Sequence, residues 1–264
     1  MIRRIRKFAR WILPHWLVSL LRPVAPGITF SGPYKSWADA ARDAGGYDAP
    51  AILQKVRESA LAVKQGKAAF ERDSVAFNIP EYRWPMLACL FHIALEKDGS
   101  NDRAFHVADF GGSLGSVYFQ HRTFFDRMPA FLWSVIEQPH FVQCGNAEIA
   151  DERLHFFNGI AEAKARAPID VVLFAGSLQY LENPHAILSQ AAALASPYLI
   201  LDRLLLTDAA DDRIKVQRVR PPIYDASYPI RVFAVQKLKA HLNAIGYEIV
   251  ATLPGGFFCR RKSN

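Results

Sequence analysis

The run Val107-Ala108-Asp109-Phe110-Gly111-Gly112-Ser113-Leu114-Gly115-Ser116 gathers the residue types that wrap a backbone around a small ligand. Glycines there let the chain turn sharply and approach a bound molecule, and a helix that follows can offer its N-terminal N–H groups. The dinucleotide fingerprint G-x-G-x-x-G is only half present, because Phe110 stands at its first glycine while Gly112-x-x-Gly115 supplies the rest. Asp109 lies just before the loop, where a carboxylate repels a pyrophosphate and favours a cation. A second acid, Glu137, ends the apolar run Trp133-Ser134-Val135-Ile136 roughly 20 residues beyond the loop, where a Rossmann-like unit places the acid that accepts ribose hydroxyls.

Charge selects among nucleotide-like ligands. A sulfonium carrying an amino group and a single carboxylate suits Asp109 better than a diphosphate does, so S-adenosylmethionine is expected ahead of a nicotinamide cofactor. Further on, Asp170-Val171-Val172-Leu173-Phe174-Ala175-Gly176-Ser177 reads as a buried strand with a polar exit, followed by Leu178-Gln179-Tyr180-Leu181-Glu182-Asn183-Pro184. Methyl transfer from a sulfonium is an in-line displacement that asks the protein for alignment, exclusion of water and, with a hydroxyl acceptor, a place for the proton. It requires no metal. His140, Tyr180 and Asp202 stand near strand exits and are the candidate bases. Each also has a structural use: His140 as a cap of a helix starting near Phe141, Tyr180 as a platform for adenine, Asp202 as a partner of Arg203.

These residues need a scaffold, and the chain alternates short apolar runs with helix-length segments from residue 101 onward. The runs are Phe105 to Phe110, Phe131 to Ile136, Leu154 to Phe157, Val171 to Phe174 and Tyr198 to Leu201. A helix is expected over Phe233 to Ile245, then a terminal hairpin of Tyr247 to Leu253 and Phe257 to Arg260 through Pro254-Gly255-Gly256. The fold class is therefore α/β: a Rossmann-like, mostly parallel seven-stranded sheet with a C-terminal antiparallel hairpin over residues 101–264. Ahead of it, residues 47–100 read as a helical cap, with helices over Ala51 to Gln65 and Trp84 to Glu96. Residues 1–46 read as a basic amphipathic arm and a connector rich in Pro, Gly and aromatic residues. The stretch Thr207 to Val232 offers no clear core element beyond a short strand over Ile214 to Val219. Its cations Arg213, Lys215, Arg218, Arg220 and Arg231 suit an anionic or sugar-bearing acceptor, or form a solvated face balanced by Asp208, Asp211, Asp212 and Asp225.

The order of these motifs resembles the class I S-adenosylmethionine-dependent methyltransferases. More narrowly, Asp109 to Gln120, Glu137 to Val142, Leu178 to Pro184, Ala226-Ser227-Tyr228-Pro229, Gly32-Pro33-Tyr34, Gly46-Tyr47-Asp48 and Glu71-Arg72-Asp73-Ser74 are similar to a methyltransferase family associated with bacterial surface-polysaccharide gene clusters. The resemblance implies that Asp109, Gly111, Gly112, Ser113 and Gly115 form the loop around the methionine part, with Ser113 where the class usually has its middle glycine. It implies that Glu137 holds the ribose, that Gln138 lies beside the adenosine, and that Ser177 and Leu178 line the cofactor floor. The acceptor it implies is a glycan or glycan precursor, methylated on oxygen. A membrane-associated cofactor-binding protein without catalysis and a nicotinamide-dependent sugar oxidoreductase are the alternatives.

Charge and composition narrow the partners. The formal charge is +7, and Arg3, Arg4, Arg6, Lys7, Arg10, Arg22 and Lys35 all precede the first acid, Asp39. Beyond them the chain is balanced, so no nucleic-acid partner is expected, whereas the leader over residues 1–22, with Ile2, Ile5, Phe8, Ile12, Trp16 and Leu20 at helical spacing, suits an anionic membrane surface or packs on the domain. The apolar run within it is too short to span a bilayer, which takes about 20 residues. Cys89, Cys144 and Cys259 stand apart without metal-ligand spacing, so neither zinc nor a disulfide framework is expected. A cytoplasmic location follows, peripheral to the inner membrane face if the leader binds lipid.

Overall fold

The computed structural model describes residues 27–45, 49–97, 103–194, 196–220, 223 and 225–263. The basic leader over residues 1–22 lies outside them, as do Gly46, Tyr47, Asp48 and Tyr224.

The five apolar runs become parallel strands: β4 (Phe105–Phe110), β5 (Phe131–Ile136), β6 (Leu154–Phe157), β7 (Val171–Ala175) and β8 (Tyr198–Asp202). The antiparallel pair β12 (Tyr247–Leu253) and β13 (Gly256–Arg261) completes a seven-stranded sheet of order β12-β13-β8-β7-β4-β5-β6. The chain builds outward from β4 through β5 to β6, then returns to the other side of β4 with β7 and β8. The carboxyl ends of β4 and β7 thus flank a topological switch point, the crevice where open α/β sheets take their ligands.

Strands buried on both faces read as continuous apolar runs, and alternate residues feed separate cores. Val107, Trp133, Val135, Val171 and Leu173 pack with α2 (Ala49–Lys64), α3 (Trp84–Lys97), α4 (Ser116–Phe125) and α5 (Pro139–Cys144). Ala108, Val172, Phe174, Leu199 and Leu201 pack with α6 (Ile160–Arg166), α7 (Pro184–Ala193) and α8 (Val235–Ala244) on the opposite face. Asp109 alternates with Ala108 and so points to the face of α2 to α5. At the amino ends of the strands a polar staple closes the sheet: Asp170, 4% exposed, binds Lys97, Arg103 and the His106 amide, and His106 Nε2 meets Ser134 Oγ at 2.7 Å.

Within 207–232 the strand expected over Ile214 to Val219 forms, and the segment departs from its sequence reading in adding a second strand beside it. It folds as β10 (Arg213–Val219) and β11 (Ala226–Ala234) in a second sheet of order β1-β10-β11-β9, with β9 (Leu206–Thr207) and β1 (Ile28–Tyr34) as its edges. The connector before residue 46 therefore supplies an edge strand and α1 (Trp37–Asp43), whose N-cap Ser36 Oγ accepts from the Asp39 amide at 3.1 Å. Between α2 and α3 lies the hairpin β2 (Phe70–Arg72) and β3 (Val75–Phe77), joined by Asp73 and Ser74 at φ 52° and 61°. Both residues hold the left-handed conformation that a two-residue type I′ turn demands at its centre.

Candidate functional site

Asp109 is the penultimate residue of β4, its side chain wholly buried, and neither carboxylate oxygen has a hydrogen-bond partner among the described residues. Burial pushes this carboxyl up to about 7, opposed by the Arg203 guanidinium and the Trp133 indole N–H and reinforced by Glu137. Trp133 Nε1 is itself without a partner among the described residues, so it lies near the acid without completing a hydrogen bond. A buried acid left unmet is costly. Its surroundings therefore indicate a ligand that brings positive charge or N–H groups to it.

The loop over this acid is fixed by close approach. A Cβ on Gly112 would lie 2.5 Å from Asp109 Oδ2, and one on Gly111 would lie 2.4 Å from the Ser177 Cβ. Gly111 and Gly115 take φ values of 71° and 86°, and Ser113 takes 56°, which a non-glycine residue adopts at a cost. The fold holds Ser113 there by donating its amide to Glu137 Oε1 at 3.1 Å. Glu137 Oε2 accepts from the Gln138 amide at 2.8 Å, and burial raises the Glu137 carboxyl against these two bonds. The first two acids thus sit on the same side of the sheet, joined through the loop.

A third acid, which the sequence offered only as part of the run Glu71 to Ser74 and without a role, completes the ring. Glu71 is 4% exposed on β2, accepts the Ser116 hydroxyl at the first turn of α4 and the Ser74 amide at 3.3 Å, and is raised chiefly by burial. Three carboxyl groups around one glycine loop leave no place for a diphosphate and suit a cationic ligand. A counter-charge acting on both Asp109 and Glu71 is Arg203, at φ 59°, whose guanidinium donates to the Ala175 carbonyl; burial lowers it, and Asp202 raises it.

The remaining candidates fall in several places. Ser177 lies against Gly111 and donates to the Phe110 carbonyl, tying the β7 exit to the β4 exit. Leu178 is fully buried in the core of α6 to α8. Gln138 is exposed at the N-cap of α5 without a side-chain capping bond. His140 lies in the first turn of α5 beside Phe141, ring centroids 4.9 Å apart, and its Nε2 is buried without a partner among the described residues. Tyr180 sits on a 3₁₀ turn (Leu178–Tyr180), its ring edge-on to Tyr228 at 5.3 Å and its hydroxyl 3.4 Å from Gln217 Oε1. Asp202 is paired with Arg83, not with its neighbour Arg203: both guanidinium nitrogens Nε and Nη2 donate to it, and the carboxylate is 1% exposed. Of the cations in 207–232, Arg218 is bound to Asp43 at 2.6 Å and Arg231 to Asp212 at 3.2 Å.

No protein-family profile matches the sequence, and no curated protein matches it. Among solved structures, the chain is similar to the N-terminal domain of EvdMO1 with SAH bound, at 16% identity over 82% of this chain and 98% of that one, TM-score 0.42. It is similar to the glycopeptide N-methyltransferase MtfA complexed with S-adenosyl-L-methionine, at 12% identity over 66% and 94%, TM-score 0.45. A third is DesVI of Streptomyces venezuelae, at 14% identity over 69% and 100%, TM-score 0.42.

Proposed function

We propose that this chain is an S-adenosylmethionine-dependent methyltransferase that methylates a hydroxyl of a glycan or glycan precursor. The observation that carries the reading is the Asp109 carboxylate, fully buried and unmet beneath Gly112 at the switch point of the sheet. The donor group, when bound, supplies an activated methyl. Asp109, Gly111, Gly112, Ser113 and Gly115 would hold its amino-acid part, and Glu137 would accept the ribose hydroxyls with the lone pairs left over from Ser113 and Gln138. The exposed Gln138 and the unpartnered His140 Nε2 follow Glu137 directly and would border the base. Ser177 spaces the β7 exit from the loop, and Leu178 supports it from the core.

The protein's own chemistry is then alignment and reception of a proton. Of the three candidate bases, Asp202 has its carboxylate committed to Arg83 and acts as a positioning residue at the end of β8. Tyr180 lies nearer the second sheet, but burial raises its phenol and keeps it protonated, so it would orient an acceptor, and His140, with its unpartnered Nε2 beside the ribose acid, is the group able to take a proton. No helix among the described residues is long and apolar enough to cross a membrane. The basic and apolar pattern of residues 1–22 supports attachment to an anionic membrane surface, which cosedimentation with anionic vesicles tests by comparing the full chain with one lacking those residues.

The cofactor assignment is tested by thermal unfolding. S-adenosylhomocysteine at a hundredfold excess over its Kd should stabilise the fold by about 2.7 kcal/mol, and NAD should leave it unmoved. Asp109→Ala and Glu137→Ala should each weaken that response. Stabilisation by NAD alone would instead indicate the sugar oxidoreductase, and S-adenosylhomocysteine binding without turnover across sugar acceptors a non-catalytic binder.

A further inference from the structure

A separate cavity of about 140 Å³ opens where the second sheet meets the 3₁₀ turn after β7. Its walls include Phe30 of β1, Gln217 of β10, Gln179 and Tyr180 of the turn, and Asp73 from the tip of the β2–β3 hairpin. Residues more than a hundred positions apart in sequence thus converge on one hollow beside the β7 exit.

Three observations specify what the hollow takes. The first is an unmet buried amide. Gln179 is 5% exposed, its Nε2 points to the Arg203 carbonyl at 3.4 Å, and its side chain lies close enough to the Tyr180 hydroxyl to lower that phenol, while its Oε1 completes no hydrogen bond among the described residues. A hydroxyl can donate to that oxygen or, with the amide turned over, accept from the nitrogen. The second is a preset polar wall: Gln217, 6% exposed, receives the Tyr180 hydroxyl at 3.4 Å and donates to the Tyr228 hydroxyl at 3.2 Å. The third is the carboxylate of Asp73, the one charged residue of the lining among the described residues, held in the left-handed region at φ 52° together with Ser74 at 61°. Asp73 faces Tyr180 and the buried Arg203 closely enough to act on both electrostatically.

We propose that this cavity is the acceptor subsite and that it takes a single neutral, hydroxyl-bearing ring, such as one monosaccharide unit. The unmet Gln179 amide and the Asp73 carboxylate receive its hydroxyls, and the rings of Phe30 and Tyr180, each 41% exposed, offer apolar faces to its C–H groups. A cavity of this size lies below the range of about 300–1,000 Å³ typical of larger organic ligands, which limits it to one ring at a time. The Asp73 charge turns away carboxylated and phosphorylated rings. The role as acceptor subsite rests on the methyl-transfer reading; the binding of a neutral sugar does not.

Saturation-transfer NMR on the full chain tests this with methyl β-D-glucopyranoside, methyl β-D-galactopyranoside and methyl α-L-rhamnopyranoside, each with and without S-adenosylhomocysteine. At least one neutral glycoside should bind, and Asp73→Asn and Gln179→Leu should each weaken it about tenfold. Methyl β-D-glucuronide, the glucoside with its C6 hydroxymethyl oxidised to a carboxylate, should bind at least tenfold more weakly than methyl β-D-glucopyranoside. Asp73→Asn sits on an exposed turn and keeps a residue that tolerates the left-handed region, so it carries the test if Gln179→Leu fails to fold. Absence of binding by every neutral glycoside, undiminished binding in Asp73→Asn, or equal binding of the glucuronide would overturn the inference. Thermal shifts in the same samples separate the two claims. A shift with S-adenosylhomocysteine but no glycoside binding removes the subsite alone, and glycoside binding without that shift removes the methyl-transfer reading and the acceptor role that rests on it, leaving the sugar site.

Discussion

Asp109 makes a pH-dependent prediction whose sign is fixed by its burial. Its carboxyl titrates near 3.9 in an unfolded chain and is raised to about 7 in the fold. Between those values the folded form keeps a proton that the unfolded form has lost, so its contribution to stability is present below pH 4 and is lost as pH rises towards 7. His121 works in the opposite sense over an overlapping window. Burial lowers it to about 4, its Nε2 accepts from the Arg83 amide at 3.0 Å, and the fold loses stability as pH falls from about 6.5 towards 4. The Asp109 term is therefore measured as the difference between the wild type and Asp109→Asn in urea unfolding across pH 4–8, where the variant should gain relative stability as pH rises. Because a cationic ligand favours the ionised acid, S-adenosylmethionine binding at pH 6 should release a proton, which calorimetry in two buffers of different ionisation enthalpy detects. Equal proton release in the variant would show that Asp109 is not the group involved. The sequence shows this acid and its glycines plainly, because a carboxylate beside a tight turn is a local pattern. It gives no sign that Ser113 takes a left-handed φ at the centre of the loop. Glycine should be accepted there with cofactor binding intact, while Ser113→Val, β-branched and strained at positive φ, should abolish the thermal response to S-adenosylhomocysteine.

Between elements, the decisive contact is the pair Arg83–Asp202, which locks the start of α3 to the end of β8 across 119 residues. Removing one partner of a buried pair strands the other charge, so Arg83→Ala should cost about 3–5 kcal/mol in chemical denaturation, and a loss below 1 kcal/mol would show that water already reaches Asp202. Sequence proximity offered Arg203 as the partner, but the backbone at φ 59° turns Arg203 away towards the Ala175 carbonyl. Such pairings are long-range and leave no periodic trace. The same limit explains the second sheet. The strands of the main sheet are apolar on both faces and stand out as runs, whereas β11 carries Pro229 in its middle, a residue that argues against a central strand. The fold accommodates it because β9 pairs only with Phe233 and Ala234, leaving the Pro229 stretch bonded to β10 alone. In β1, Gly32-Pro33 falls where the register with β10 shifts between Ser31 and Tyr34, so a strand is built from residues that read as a loop.

On the proposed reading, two layers divide the chemical tasks. The glycine loop and its three acids hang from β4, β5 and the β2–β3 hairpin, while the cavity is walled by β1 and β10 of the second sheet, by the turn after β7 and by Asp73 of the same hairpin. The layers meet at the turn after β7, where Ser177 faces the loop and Gln179 and Tyr180 face the cavity. On that division the second sheet should be breakable without loss of the cofactor site. In an antiparallel edge strand alternate residues donate to the neighbour, so of the adjacent Phe30 and Ser31 one amide is bonded to β10. Replacing both with proline removes that bond whichever residue makes it and should detach β1. Amide exchange over Arg213–Val219 should then quicken and glycoside binding should fall by tenfold or more, while the thermal response to S-adenosylhomocysteine keeps its size. Loss of that response together with the glycoside would mean that the second sheet also shapes the loop around Asp109, and that the two layers fold and bind as one.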